Sequence, residues 1–406
     1  MKRTIDRRRF GMGAMAAGAV IAAPAIVRAQ AARLRIGNLL PTSGFEALTG
    51  QFCQGGIDLA KTMVKDMGYD FEVIDADTES KPETARTQAE KLIRDGCHIL
   101  LGAFDSGQTL AIAQVCEQNG IPFVADIAAD PAITNQGFKF VFRNFPTAVM
   151  LGNNGLALFA ELFKVTHTAP KTAVLMHVND TFGEAMVKGI DGYDQKVGLP
   201  FKIVENIGYS PQTNDLSAEV AKAKAANADL LVVVHRLNDI ILMVREMVKQ
   251  RYQPMGIISP GSPGMQFKQF FKSLGKYANY CITNQPWMDP KQPLAGRVQE
   301  AYEKAHPDQN MTLEIGFTFE GVLICADAAK RAGSTKPQAL VEALRATHIT
   351  NRVMLGGAIS FDEHGQNVNL PSAATENLNG KPMVILPEAN ANAKPVFPMP
   401  GWSERG

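Results

Sequence analysis

HILLGAFDSGQTLAIAQVCEQNGIPFVA, residues 98–125, is the stretch that decides the fold of this 406-residue chain. Its apolar run at 98–103 has the length of a buried parallel strand, and a second such run follows at 122–125. Residues 106–118 lie between the two runs and favour a helix. A strand, a helix and a strand in this order indicate a parallel sheet with helices on its faces.

The same alternation continues on both sides of this stretch. Helices are predicted at 55–67, where apolar residues recur at helical spacing, and at 80–94. Ser80 and Glu83 have the spacing of a capping box, with Pro82 in the first turn. Two series of strands are predicted, at 34–40, 71–76, 98–103, 122–125 and 138–143, and then at 172–178, 201–207, 230–235, 256–258 and 280–283. Two series predict an α/β fold with two doubly wound parallel-sheet lobes.

The last quarter of the chain follows a different pattern. Helices are predicted at 293–306, 314–331 and 337–346, without strands of comparable strength between them. They are therefore expected to pack on an existing lobe, and periodicity does not say which one. Residues 387–406 are rich in Pro and Asn and are interpreted as a surface strap or a loose tail.

The first 31 residues have the organisation of an export signal. Basic residues at 2–9 precede a Gly- and Ala-rich apolar stretch at 10–27, and small residues follow at 29–31. The run DRRRF at 6–10 resembles a twin-arginine signal. We expect cleavage between Ala31 and Ala32 and a periplasmic location. The alternative is a retained membrane anchor, for which this stretch is only weakly apolar.

Composition and charge exclude several classes of protein. The chain has 41 Lys and Arg against 40 Asp and Glu, so its net charge of +1 gives no field that would attract nucleic acid. Its five cysteines are spaced singly and show no zinc-binding pattern, so neither a metal nor a cofactor is expected. One disulfide is possible, and none is predicted.

Catalytic motifs of the common hydrolase, nucleotide-binding and zinc-protease types are missing from the sequence. Gly261 opens the segment GSPG, which lacks the spacing of a nucleophile elbow and is interpreted as a turn. His177 and His235 are at predicted strand ends, where a structural role is more common than a catalytic one. We therefore predict no catalytic residues and no enzymatic activity.

Several short motifs occur in a fixed order from residue 34 onward. They are LRIG at 34–37 ahead of PTSG at 41–44, GG at 55–56, DAD at 75–77, ILLG at 99–102, GIP at 120–122, VFR at 141–143, TFG at 181–183, DLLV at 229–232 and FD at 361–362. In this order and spacing they resemble the leucine/isoleucine/valine-binding protein family, the type I periplasmic solute-binding proteins of ABC transporters. The resemblance covers essentially the whole chain after the export signal.

The resemblance implies two α/β lobes joined by three crossover strands, with a small-molecule ligand trapped in the cleft when the lobes close. Lobe 1 would comprise residues 32–147 and 285–350, and lobe 2 would comprise 148–284 and 351–386. The three helices predicted at 293–306, 314–331 and 337–346 would then complete lobe 1. An inner-membrane ABC permease is the implied partner, and the receptor is expected to be a monomer. A ligand sensor of the same fold is the alternative.

The family's site residues transfer to this chain position by position. Ser106 stands where the family grips the ligand carboxylate with a hydroxyl at a helix N-terminus, although spacing alone is equally consistent with a simple N-cap. The family's Ala-Ala-Thr stretch becomes Ile127-Ala128-Ala129, without the threonine hydroxyl. Thr49 replaces a loop tyrosine, and Phe182 occupies the place of an aromatic lid residue.

Two departures from the family pattern change the charge expected in the cleft. Gly261 falls where amino-acid receptors of the family hold the ligand ammonium with an acidic residue. Arg236 stands where the family often has tyrosine, and it is either a carboxylate-binding residue or a solvated surface arginine. Both departures favour an organic or aromatic carboxylate over leucine. A receptor for branched-chain or other amino acids is the alternative.

Overall fold

A computed structural model describes residues 33–288 and 291–405 together with Met1. The predicted export signal and its cleavage site lie outside these residues. From residue 33 onward the chain folds into an α/β structure with two sheets, one in each of two lobes. This architecture confirms the predicted fold class.

The first sheet has five parallel strands in the order β2-β1-β3-β4-β5. Strands β2 and β3 lie on opposite sides of β1, so the strand order reverses between β1 and β3. Loops that leave adjacent strands at such a switch point diverge and open a crevice. The elements are β1 (Leu34–Leu40), α1 (Ala47–Asp66), β2 (Phe71–Asp77), α2 (Pro82–Arg94), β3 (Ile99–Gly102), α3 (Ser106–Asn119), β4 (Phe123–Ala125) and β5 (Val141–Arg143).

The second sheet repeats this order and adds a hairpin at one edge. Its order is β12-β11-β10-β9-β8-β6-β7, with a switch point between β6 and β8. Strands β6 to β10 are parallel, and β11 and β12 run antiparallel. The elements are α4 (Ala148–Val165), β6 (Thr172–Val178), α5 (Thr181–Val197), β7 (Lys202–Tyr209), α6 (Ser217–Ala225), β8 (Leu230–Val234), α7 (Leu237–Lys249), β9 (Gly256–Ser259), α8 (Lys268–Leu274), β10 (Cys281–Pro286), β11 (Ser372–Leu378) and β12 (Lys381–Leu386).

Three helices follow β10 and precede the hairpin, namely α9 (Pro293–Ala305), α10 (Leu313–Ala332) and α11 (Pro337–Arg345). Helix α10 packs on α1 and against β1, β3 and β4, so it covers a face of the first sheet. The approach is close because Gly56 of α1 has no side chain, and the Thr318 hydroxyl of α10 donates to the Cys53 carbonyl at 2.9 Å. The predicted lobe boundaries at 147, 285 and 351 stay predictions.

Every predicted strand overlaps one of β1 to β10, but two details of the prediction are wrong. The first helix begins at Ala47, well before the predicted residue 55. Ser80 does not cap α2: its Oγ donates to the Ser43 carbonyl at 2.7 Å and accepts from the Glu46 N–H at 3.1 Å. Tertiary contacts therefore replace the local capping box.

The C-terminal segment after β12 packs on the second lobe. The Trp402 indole N–H donates to the Tyr252 carbonyl at 2.8 Å, and the Arg405 guanidinium lies 3.8 Å from the Trp402 ring centroid. Phe397 and Met399 are also buried. These contacts anchor residues 397–405 to the surface of the lobe.

Candidate functional site

Charged residues follow the strands that flank each switch point. Glu46 lies in the connection after β1, and Asp105 follows β3 directly before α3. In the second lobe, Asp180 follows β6 and Arg236 follows β8. Because the carboxyl ends of parallel strands meet at one edge of a sheet, each pair is brought to the crevice of its lobe.

The four side chains meet between the lobes and form an inter-lobe ion cluster. Arg236 Nη2 lies 2.6 Å from Asp105 Oδ2 and 2.8 Å from Asp180 Oδ2, and Arg236 Nε lies 3.1 Å from Glu46 Oε1. The cluster is buried, with the Arg236 side chain 10% exposed. One residue of the second lobe thus holds two carboxylates of the first lobe.

Helix capping fixes the geometry of this cluster. Asp105 caps α3 by accepting from the Gln108 N–H at 3.0 Å through Oδ1, and Asp180 caps α5 by accepting from the Gly183 N–H at 2.8 Å through Oδ1. Each capping carboxylate leaves its Oδ2 for Arg236. The capping interactions therefore orient both carboxylates toward the guanidinium.

Burial and charge act in opposite directions on the pKa values of the cluster. Burial raises the pKa of Glu46 to about 8, helped by the nearby Asp105 and opposed by Arg236. Burial also raises the pKa of Asp105 against the opposing effect of Arg236. For Arg236, burial lowers the pKa, but Asp180, Glu46 and Asp105 outweigh it and raise the pKa, so the guanidinium stays charged.

A cavity lies beside the cluster, between the two lobes. Its wall is mainly apolar and aromatic, with a few polar side chains, as is usual for a small-molecule site. The polar side chains in the wall are Arg236, Ser262, Gln285 and Glu314. The remaining wall residues are Phe104, Ile127, Ala128, Ala129, Phe145, Leu151, Phe182, Gly261, Pro263, Pro286 and Leu313.

Most of the residues predicted from the sequence come together in this wall, but Ser106 and Thr49 do not. Ser106 is 1% exposed, and its Oγ accepts from the N–H groups of Ala129 and Asp130 at 3.2 and 3.3 Å. It holds the loop that lines the cavity. Thr49 is buried in α1. The six that lie together are Ile127, Ala128, Ala129, Phe182, Arg236 and Gly261, and their part in ligand binding stays a prediction.

Arg236 is not the solvated surface arginine considered from the sequence, and its contact with a ligand carboxylate stays a prediction. It is not solvated, and its charge is not free, because three carboxylates surround it. The guanidinium also lies 4.7 Å from the Phe182 ring centroid, which contributes a cation–π contact. The arginine therefore does not by itself make the cavity positive.

Glu314, in the first turn of α10, is a wall residue that the sequence analysis missed. It is completely buried, and neither carboxyl oxygen has a hydrogen-bond partner. Burial raises its pKa to about 7, and the nearby Thr312 hydroxyl and the Glu314 backbone N–H offset this only in part. An acid at a helix start is usually explained by the helix dipole, so the pattern held no signal for this site.

The described part of the chain contains no group of three His, Cys, Asp or Glu side chains placed to hold a metal ion. Within residues 33–288 and 291–405, no helix is long and apolar enough to cross a membrane.

Comparison with known proteins places this architecture in one family. A family model described as periplasmic binding protein matches residues 33–377. The Leu/Ile/Val-binding protein homolog 8 of Brucella abortus (strain 2308) is 23% identical over 390 residues, covering 92% of this chain and 95% of that relative.

Two solved structures have the same fold. The branched-chain amino acid transporter substrate binding protein LivJ from Streptococcus pneumoniae, in complex with isoleucine, has a TM-score of 0.75 at 19% identity, over 90% of this chain and 99% of that one. A solute binding protein of an ABC transporter from Rhodopseudomonas palustris BisB5, in complex with 3,4-dihydroxy benzoic acid, has a TM-score of 0.72 at 20% identity, over 86% of this chain and 94% of that one.

These comparisons confirm the resemblance seen in the short motifs. The family match spans most of the sequence, and both solved receptors share the fold of this chain. The chain belongs to the periplasmic binding protein family, and it resembles the leucine/isoleucine/valine-binding proteins within it.

Proposed function

We propose that this receptor is exported to the periplasm, captures a small organic carboxylate with an apolar or aromatic body, and delivers it to an inner-membrane ABC permease. The observation that carries the proposal is the cavity between the lobes, whose wall includes the rings of Phe104, Phe145 and Phe182. Such rings bury flat apolar ligands well. The ligand class is supported by the Rhodopseudomonas palustris relative, which was solved with an aromatic carboxylic acid.

Ligand capture in this proposal works by hinge closure. Open and closed forms interconvert, and a solute that contacts both lobes shifts the population toward the closed form. Wall residues from both lobes, such as Ile127 and Phe182, would then contact the same ligand. The permease would recognise the closed form, and no covalent step is involved.

An amino-acid receptor is the second candidate, and the surroundings of Arg236 favour it. Glu46, Asp105 and Asp180 already surround its guanidinium, so the cavity offers no excess positive charge to a ligand with net negative charge. The Streptococcus pneumoniae relative was solved with isoleucine. A zwitterion would add no net charge to the cleft.

A thermal-shift panel of branched-chain amino acids against aliphatic and aromatic carboxylates separates the two candidates. A ligand that binds only the folded state raises the melting temperature. Stronger stabilisation by the carboxylates supports the first candidate, and stronger stabilisation by leucine overturns it. Mass spectrometry of compounds that co-purify then identifies the natural ligand, and a ligand recovered chemically altered would contradict a binding-only role.

Export is tested separately by N-terminal sequencing of the protein from the periplasmic fraction. The proposal expects a mature N-terminus at or near Ala32. A full-length chain in the membrane fraction would instead support the anchor alternative.

A further inference from the structure

We infer that Glu314 contacts the ligand and that the ligand presents a hydrogen-bond donor to it, either a hydroxyl or an ammonium group. The inference rests on the proposed function and adds a specificity determinant to it. Gly261 stands where the family resemblance implies an acidic residue in amino-acid receptors. Glu314 supplies a carboxyl group to the cavity from a different element, helix α10.

The two oxygens of Glu314 stand out among the buried carboxyl groups of the first lobe. Glu46 has Arg236 and accepts from Gln108 Nε2 at 2.7 Å, whereas both oxygens of Glu314 are unpartnered. Buried acceptors are nearly always satisfied in native proteins, so an unpartnered one in a cavity wall calls for a partner that enters the cavity.

Neighbouring groups supply that partner at most in part: the Thr312 hydroxyl and the Glu314 backbone N–H lower the pKa of the carboxyl group, but both of its oxygens remain without a hydrogen bond. Cys53 and Tyr302 are near enough for the Glu314 charge to raise their pKa values, but neither side chain is a cation. Among the described residues, the ion pairs of the nearest cavity arginine, Arg236, reach Glu46, Asp105 and Asp180 instead. The counterpart of Glu314 is therefore either a proton or a ligand group.

Selectivity follows from the cost of leaving the carboxyl group unmatched. A solute without a donor would exclude water from the cavity and leave both Glu314 oxygens buried without a hydrogen bond. A solute with a donor at that position satisfies them. Sites built around a buried hydrogen-bonding group discriminate strongly against analogues that lack the matching group.

Calorimetric titration of matched probe pairs tests the inference in the full-length mature protein. One pair is benzoate and 4-hydroxybenzoate, which differ by a hydroxyl. The other is 4-methylpentanoate and L-leucine, which differ by an ammonium group. In at least one pair, the donor-bearing probe is expected to bind the wild type roughly tenfold more tightly or better.

Two substitutions distinguish the donors. Glu314→Leu removes the acceptor, so the difference within the responsive pair should disappear. Glu314→Gln keeps an acceptor oxygen without the charge, so it should retain part of a hydroxyl preference and lose an ammonium preference. Because Gln is nearly isosteric with Glu, this variant gives a result even if Glu314→Leu does not fold.

Glu376→Gln is the matched control, because Glu376 is also fully buried with one unpartnered oxygen but lies outside the cavity wall. It should leave both preferences unchanged. If the probes bind but donor and non-donor members bind alike, or if both Glu314 variants keep the preference, Glu314 is not a ligand contact, while the receptor function stands. If no probe binds the wild type, the proposed ligand class itself is wrong.

Discussion

Glu314 and Glu320 lie on the same helix and are both completely buried, yet their surroundings are opposite. Glu314 has no hydrogen-bond partner, whereas Glu320 accepts from Asn144 Nδ2 at 2.8 Å and from Arg352 Nη2 at 2.9 Å. Glu320 also accepts from the backbone N–H groups of residues 353 and 354. The Glu320 carboxyl group thus links α10 to the connections after β5 and α11, whereas the Glu314 carboxyl group faces the cavity.

Glu320→Gln should destabilise the protein strongly. The amide NH2 group of Gln would face N–H groups that now donate to the Glu320 carboxylate. The Arg352 guanidinium would also be left buried without its counter-ion. We expect a loss of about 3–5 kcal/mol, as is typical for breaking a buried ion pair. Urea denaturation measures it, and Glu314→Gln is the matched control that should cost much less. Equal losses for the two variants would contradict the difference in their surroundings.

Stability should fall as pH rises through the neutral range. The folded-state pKa values of Glu314, Glu46 and Asp239 are raised to about 7, about 8 and about 7, mainly by burial. A raised pKa means that the folded state binds more protons than the unfolded state, in which these acids titrate near pH 4. The stability they contribute is complete below about pH 4 and is lost as pH rises to about 8.

Glu314→Leu isolates the share of one residue in this pH dependence. Relative to wild type, the variant should become more stable between pH 5 and pH 8, because it has no buried carboxyl group to ionise. Melting temperatures at four pH values and constant ionic strength provide the measurement. Parallel curves for the two proteins would show that Glu314 does not titrate in this range.

Arg236→Gln should open the receptor. Without the guanidinium, Glu46, Asp105 and Asp180 face one another across the lobes without a counter-charge, at a cost of about 3–5 kcal/mol. Small-angle scattering should show a larger radius of gyration than for wild type. Arg245→Gln, at an exposed position on the same helix α7, is the control. An unchanged radius would show that the ion cluster does not hold the lobes together.

Ser106→Ala distinguishes a positioning role from direct ligand contact. The substitution leaves the N–H groups of Ala129 and Asp130 without their acceptor, which should cost about 1–3 kcal/mol. Ser334→Ala, at a more exposed hydroxyl, should cost little. If affinity for carboxylates falls while unfolding free energy is unchanged, Ser106 acts on the ligand itself, as the family resemblance implies.

Most of the parallel strands could be predicted because parallel strands buried on both faces are short, nearly continuous apolar runs. The hairpin of β11 and β12 was missed because Ser372–Leu378 is largely polar. A signal was present in Asn379-Gly380, where both residues have positive φ, as a two-residue hairpin turn requires.

Site residues could be predicted only where they come shortly after the end of a strand. Phe182 and Arg236 were found in this way, and both lie in the cavity wall. Two partners of Arg236 could not be found, because Glu46 and Asp105 come from the other lobe and their contact depends on how the lobes face each other. Local pattern carries no information about such contacts.

In both Asp105 and Asp180, one carboxylate oxygen binds the helix N-terminus and the other binds Arg236. This arrangement affects how the lobes can separate. When the lobes part, Asp105 Oδ2 separates from Arg236 while Asp105 Oδ1 stays bound to its helix, and Asp180, in the same lobe as Arg236, can keep both of its contacts. The ionic contacts of Arg236 with Glu46 and Asp105 are then among the contacts that must break before release. Point changes at these positions could therefore adjust how long a captured solute is retained while the scaffold stays intact.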